Sequence, residues 1–150
     1  MKKNLFKKSA SIKIIARAET LSSDKRALWG KMTATEMLFH CNLANTQILE
    51  GQMEYKLPTF KQRLIKIISL YLVPQFPKNI KGAEINDTKG HIDDGQFEEQ
   101  LIQFFKIIQK FPKHKDSTTF IHPAFGPLTK KQWGLAAWKH MDHHLRQFGV

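Results

Sequence analysis

The sequence contains a single cysteine, Cys41, among its 150 residues. One thiol cannot form an intramolecular disulfide, so a disulfide-stapled fold is excluded and stability must come from packing. A lone thiol also suits a reducing compartment, and we therefore expect the protein to be cytoplasmic.

Long apolar runs are also missing. The longest, LIKIISLYLVPQF at residues 64–76, is interrupted by Lys66 and Pro74 and falls short of the roughly 20 residues that a membrane-spanning helix needs. The basic N-terminus resembles the start of a signal peptide, but lysines and Arg17 break it before an apolar region of about 7 to 15 residues can form. We expect no membrane-spanning segment, no cleaved leader and no membrane partner.

Acidic residues are scarce, with 13 Asp and Glu against 24 Lys and Arg, which gives a net charge of +11. Such a charge attracts nucleic acid, acidic membranes or anionic metabolites at long range. The basic residues are spread along the chain and no nucleic-acid-binding motif accompanies them. We therefore interpret most of them as solvated surface, and nucleic-acid binding is the least favoured role.

Strand-like alternation and internal repeats are absent too. The length and the composition, 41% hydrophobic and 25% charged, are typical of one soluble globular domain, here residues 1–150. Helical periodicity predicts an all-α, antiparallel helical bundle with four principal helices and a short accessory helix. The predicted helices are residues 4–21, 34–50, 59–72, 96–111 and 129–148.

Capping signals fix two of these helix starts. Thr33 and Glu36 form a T-x-x-E capping box, and Thr129 and Gln132 form a T-x-x-Q box, in which side chains satisfy the unpaired amides of a first helical turn. Gly51 is predicted in the left-handed position after the second helix.

Proline and loop signals mark other boundaries. Pro74 and Pro77 are predicted to close the third helix, and Pro112 the fourth. Asp94 is the predicted N-cap of the fourth helix, after a loop rich in Gly, Asn and Asp at residues 77–95.

Three of the 7 histidines lie near the C-terminus, in WKHMDHHLRQFG. With His140 at 0° on a helical wheel, the apolar residues occupy an arc from about 60° to about 160°, and His144 lies beside it at about 40°. His143, at about 300°, is expected on the surface or as a supporting residue. Asp142, at about 200°, and Arg146 are expected to face solvent or an interface.

His40 lies at the margin of the apolar face of its own helix, while Cys41 points about 100° away, into the core. A pair of histidines four residues apart and a third from a facing helix supply three imidazole nitrogens. Three nitrogen ligands with water in an open position are typical of a catalytic metal site. His40, His140 and His144 could therefore bind one divalent metal, and three half-buried histidines that hydrogen-bond locally are the alternative.

Two segments, WGKMTATEMLFHC at residues 29–41 and HPAFGPLTKKQWGLAAWKHMDHHLRQFG at residues 122–149, resemble the DinB/YfiT-like superfamily, in particular an uncharacterised branch of it. The resemblance implies an up-down-down-up four-helix bundle. It also implies a metal held by one histidine of the second principal helix and an H-x-x-x-H pair of the last, which His40, His140 and His144 match. Nickel or zinc, a homodimer, and activity as a metal-dependent hydrolase or low-molecular-weight thiol S-transferase are further implications.

Other residues are weaker candidates. Glu36 and His122 are possible catalytic groups, although a cap for Glu36 and a turn-stabilising role for His122 are the favoured interpretations. A helical binding protein without catalysis is the alternative function. Six aromatic residues are expected to be core anchors rather than to line a substrate box: Trp29, Trp133, Trp138, Phe104, Phe105 and Phe148.

Overall fold

The computed structural model describes residues 3–79, 88, 90–115 and 119–150. Within these residues the fold is all-helical, with five α-helices and no β-strand. The helices are α1 Lys8–Ala18, α2 Ala34–Glu50, α3 Phe60–Ile67, α4 Phe97–Lys110 and α5 Lys130–Gln147. A π-helical turn, Ile68–Leu72, extends α3, and the 3₁₀ turns Asp94–Gln96 and Phe111–Lys113 flank α4. No helix in the described ranges is long and apolar enough to cross a membrane.

Both predicted capping boxes are confirmed. The Thr33 hydroxyl accepts from the amide of Glu36, whose carboxylate accepts in turn from the Thr33 amide. Thr129 and Gln132 are paired in the same way at the start of α5. A reciprocal box of this kind contributes about 1 kcal/mol, which explains why α2 and α5 begin where the sequence predicts.

Some predicted boundaries are wrong. α1 begins only at Lys8, because the preceding segment is tied to α5 through the Leu5 amide, which donates to the Gly134 carbonyl at 2.9 Å. Gly51 has φ −69° and ψ 139°, an extended conformation, so α2 does not end in a left-handed residue.

The start of α4 also differs from prediction. Asp93, not Asp94, caps the 3₁₀ turn that leads into this helix, since its carboxylate accepts from the Gly95 amide at 2.7 Å. Asp94 instead accepts from the hydroxyl of Thr33 at 2.6 Å, which ties α4 to the start of α2. Pro112 lies within the 3₁₀ turn after α4. The loop predicted at residues 77–95 falls in part on residues 80–87 and 89, outside the described residues.

The core lies where α1 and α2 pack against α4 and α5. Trp133, Phe104 and Phe148 are fully buried in it, as predicted, and Phe105 and Trp138 pack at its edge. Trp29 is an exception, because its ring lies against His143 at 5.8 Å between ring centroids rather than in the core.

An ion-pair cluster links α1 to α5. The carboxylate of Asp142 accepts from Arg17 at 2.8 Å and from Arg146 at 3.0 Å, and the Asp142 side chain is only 11% exposed. Arg17 also donates to the carbonyl oxygen of Val150 at 2.8 Å. Of the two expected environments, solvent or an interface, Asp142 and Arg146 therefore occupy an interface, because α1 covers this side of α5.

We expect Asp142→Asn to lower the free energy of unfolding by roughly 2–4 kcal/mol, because it leaves two partly buried guanidinium groups without their carboxylate. Chemical denaturation would measure the change. The matched control is Glu50→Gln, which breaks the exposed pair with Lys110 and should cost less than about 1 kcal/mol. Equal losses in the two variants would contradict the structural role of Asp142.

Candidate metal centre

The three histidines singled out by the helical wheel meet at one point between α2 and α5. The Nε2 atom of His140 lies 3.0 Å from Nε2 of His40 and 3.0 Å from Nε2 of His144. One ring nitrogen from each residue lies within 4.8 Å of the other two, and the three could together hold a metal ion.

The spacing suits a transition metal. Ligand bonds of about 2.0–2.1 Å place neighbouring nitrogens about 2.9 Å apart at a right angle and about 3.3 Å apart at the tetrahedral angle. The two Nε2 separations of 3.0 Å fall in this range. The rings themselves meet edge to face, with centroids 4.7–5.0 Å apart.

A hydrogen-bonded chain fixes the orientation of His144. The side-chain amide of Gln147 donates from Nε2 to the Trp29 carbonyl at 2.8 Å, so its oxygen must face His144. That oxygen lies 2.8 Å from Nδ1 of His144. Nδ1 therefore carries the ring proton and donates it to Gln147, which leaves Nε2 with its lone pair directed at the other two histidines.

Nε2 of His140 lies between two imidazole nitrogens, and the one that belongs to His144 carries a lone pair. A single N–H on His140 cannot serve nitrogens on two sides well. A cation would accept a lone pair from each ring in the tautomer that leaves Nε2 unprotonated, so the donor set fits a bound metal.

Burial keeps the rings of His140 and His144 neutral. Desolvation, followed by repulsion from His144 and His40, lowers the pKa of His140 well below its usual value. Desolvation, with repulsion from His40, lowers the pKa of His144 to about 3. Neutral imidazoles are the form that binds a metal, so the site needs little deprotonation near pH 7.

His143 supports this site rather than facing solvent. It is partly buried, its Nδ1 lies 3.4 Å from the Phe76 carbonyl, and its ring meets that of His144 edge-on at 5.1 Å. Burial lowers its pKa, and the contact with Phe76 opposes part of that shift. Trp29 covers its other side.

His122 forms the turn that the sequence predicts. Its Nδ1 accepts from the amides of Ala124 at 3.1 Å and Phe125 at 3.2 Å, and its ring stacks on Phe125. Burial lowers its pKa to about 4. The His122 ring also lies 5.5 Å, between centroids, from that of Trp133 in the first turn of α5.

Glu36 acts as a structural anchor. One carboxylate oxygen accepts from the Thr33 amide at 2.9 Å and the other from the Gly90 amide at 2.7 Å. With both oxygens engaged, Glu36 holds the helix start and a loop together and is poorly placed to act as a base. Cys41 is buried, as predicted, and burial raises the pKa of its thiol.

Sequence reasoning missed Gln147 and the role of Trp29. Gln147 lies one turn after His144 and on the same side of the helix, which is a signal that the wheel contained. The residue to which Gln147 donates, Trp29, could not be predicted from the sequence. The structure shows how closely the two segments approach: at Gly30, where φ is 81°, a β-carbon would lie 2.6 Å from the Gln147 amide nitrogen.

The chain belongs to the family described as "Protein of unknown function (DUF1569)", whose model matches residues 3–149. No curated protein and no solved structure matches the chain.

We expect Gln147→Leu to weaken Zn²⁺ binding by roughly 10–100-fold, because the hydrogen bond that fixes the His144 ring is lost. Competition titration with a chromophoric chelator would measure the affinity. Gln147→Glu is the matched control, because it keeps an acceptor for the His144 N–H while removing the donor to Trp29. If Leu and Glu weaken binding equally, Gln147 does not act through the histidine tautomer.

Proposed function

We propose that this member of the DUF1569 family is a metal-dependent enzyme in which His40, His140 and His144 hold one divalent transition metal. Imidazole ligands suit nickel and zinc, which are the ions we expect. The small-molecule substrate would reach the ion beside the three rings.

The observation that carries this proposal is the chain from Trp29 through Gln147 to His144. Metal-binding histidines are usually held by a hydrogen bond at the second ring nitrogen, which sets the tautomer and the ring direction. Here the carbonyl of Trp29 orients Gln147, and Gln147 orients His144. The tautomer that this chain sets turns Nε2 of His144 toward Nε2 of His140, which also lies 3.0 Å from Nε2 of His40.

The size of the ligand set favours catalysis over a purely structural metal. Structural zinc sites are closed by four protein ligands, whereas catalytic sites use three and keep a position open. In the part of the chain that the structure describes, the cluster comprises three residues. We therefore propose an open position for water or substrate.

A divalent ion bound there would supply Lewis acidity and lower the pKa of a water or thiol in that position. The protein's own groups hold the site in place. His122 accepts two amide hydrogens at Nδ1, so its remaining ring proton lies on Nε2 and can be donated to a substrate. Because the pKa of His122 is about 4, its ring is neutral near pH 7. In this proposal it donates a hydrogen bond to the substrate.

The finer identity follows from the resemblance to the DinB/YfiT-like superfamily. On that basis we propose one domain with an up-down-down-up four-helix bundle, a cytoplasmic location and a homodimer. The reaction would be hydrolysis or transfer of a low-molecular-weight thiol. The positions of His40 on α2 and of His140 and His144 on α5 support this resemblance.

We expect untagged, freshly purified protein to contain nickel or zinc in near-stoichiometric amount by elemental analysis. His40→Ala, His140→Ala and His144→Ala should each lose the metal while remaining folded by circular dichroism. His91→Ala is the matched control, since His91 is exposed and should leave the metal content unchanged.

Full metal occupancy in the His140→Ala variant would rule out this ligand set. A parent protein that is metal-free and cannot be loaded with nickel or zinc would instead favour a non-catalytic binding role. If metal binds as expected, hydrolytic and thiol-transfer substrates are the first to screen.

A further inference from the structure

The helix α3 turns polar side chains toward the rest of the protein. The Gln62 amide donates to the Pro123 carbonyl at 3.0 Å, and the Lys66 ammonium donates to the Pro127 carbonyl at 3.4 Å. No residue of α3 itself is buried. Apolar packing, which holds most helices of globular proteins in place, is small here: Ile65 packs at the edge of the core, and Leu70 of the π turn is buried in it. The polar contacts add to this small apolar contact.

Four other apolar side chains of α3 and its π turn face solvent. Phe60 is 82% exposed, and Leu64, Ile67 and Tyr71 are each about half exposed. Their spacing of four, three and four residues places them on one side of the helix and its π turn. We call these four residues the outer face of α3.

Apolar exposure continues in the segment before the helix, where Tyr55 is 71% and Leu57 is 79% exposed. Isolated apolar residues are common on protein surfaces, but successive exposed aromatic and aliphatic side chains mark a contact surface.

The outer face is held outward by a lysine of α5. The Lys139 ammonium donates to the carbonyls of Ser69 and Val73 at 2.6 Å each, at the end of the π turn. A cation at these carbonyls is favourable because they carry the negative end of the helix dipole. The orientation of α3 is thus fixed by specific bonds.

The charge around the outer face has one sign. Residues 55–79 contain five lysines and arginines and no aspartate or glutamate. With Phe60 at 0° on the helix, Lys61 lies at about 100° and Arg63 at about 300°, so the two exposed cations flank the apolar stripe on both sides.

We propose that the outer face of α3 docks on an anionic lipid surface, a peripheral contact that departs from the expectation of no membrane partner. The helix would lie flat at the headgroup level, with Phe60 and Leu64 entering the acyl boundary and Lys61 and Arg63 meeting lipid phosphates. A short helix with an apolar face flanked by basic residues is the pattern of interfacial membrane helices. Each basic residue near such a surface strengthens binding by about fivefold.

A second copy of the chain fits this face less well than lipid. In a two-fold symmetric dimer the same patch meets itself. That contact would bring Lys61 and Arg63 of both copies together at this face, so a homodimer is expected to use another surface. An anionic partner is complementary to this surface, whereas an identical chain repels it.

The test is co-sedimentation of the full chain with phosphatidylcholine vesicles, prepared with and without phosphatidylserine. We expect binding only to the vesicles that contain phosphatidylserine, weakening as salt rises. The double variant Lys61→Gln/Arg63→Gln should bind roughly 25-fold more weakly, as the loss of two interfacial cations predicts. Phe60→Ser/Leu64→Ser should remove most of the remaining binding.

Matched controls come from the exposed side of the molecule near α4. Lys106→Gln/Lys113→Gln removes the same two charges, and Ile102→Ser removes a side chain that is also about half exposed. Both should bind like the parent. Because the proposal rests on no part of the metal centre, His140→Ala should bind vesicles normally.

Three results would overturn the proposal. The first is no binding to phosphatidylserine vesicles. The second is equal weakening of vesicle binding by Lys61→Gln/Arg63→Gln and by Lys106→Gln/Lys113→Gln, which would indicate an effect of net charge alone. The third is self-association in sedimentation velocity that Phe60→Ser abolishes, without vesicle binding. That result would make the outer face a subunit interface.

Discussion

The burial of three residues at the contact between α2 and α5 sets the position of the candidate metal centre. Cys41, Met141 and Leu145 are each at most 1% exposed, and each directly follows one of the three histidines in the sequence. A residue that precedes a core residue lies about 100° around the helix from it. Packing the three core side chains therefore brings His40, His140 and His144 to the same margin. The site is a consequence of helix register as much as of histidine content.

Helix α5 joins separate parts of the structure through its polar residues. Lys139 binds the carbonyls at the end of α3, Asp142 pairs with Arg17 of α1, and Gln147 binds the loop at Trp29. All three side chains are buried because other segments cover α5 on several sides. Buried polar groups are costly unless they are paired, so these contacts also fix where the neighbouring segments lie around the histidines.

Helix α3 is held by a different balance of forces. Its contacts with the 123–127 loop and with Lys139 are polar, and most of its apolar residues remain outside, although Ile65 and Leu70 of the π turn pack on the core. Lys139 directly precedes His140, so the anchor of α3 and the metal centre share one turn of α5. The surface proposed for lipid binding and the proposed active site are thus placed by the same helix, although each can be tested without the other.

The sequence by itself determined the helical class, the starts of α2 and α5, and the three histidines that meet. Those features depend on local signals, namely capping boxes and 3.6-residue periodicity, which act within a few residues. It left open whether Asp142 faces solvent or an interface, and it missed Gln147 and Trp29, whose bond joins residues far apart in the chain. Only the tertiary structure decided these, because a helical wheel describes one helix and cannot include the segments that cover it. The sequence also could not determine which way α3 faces, because its orientation depends on hydrogen bonds from Lys139, which lies on another helix.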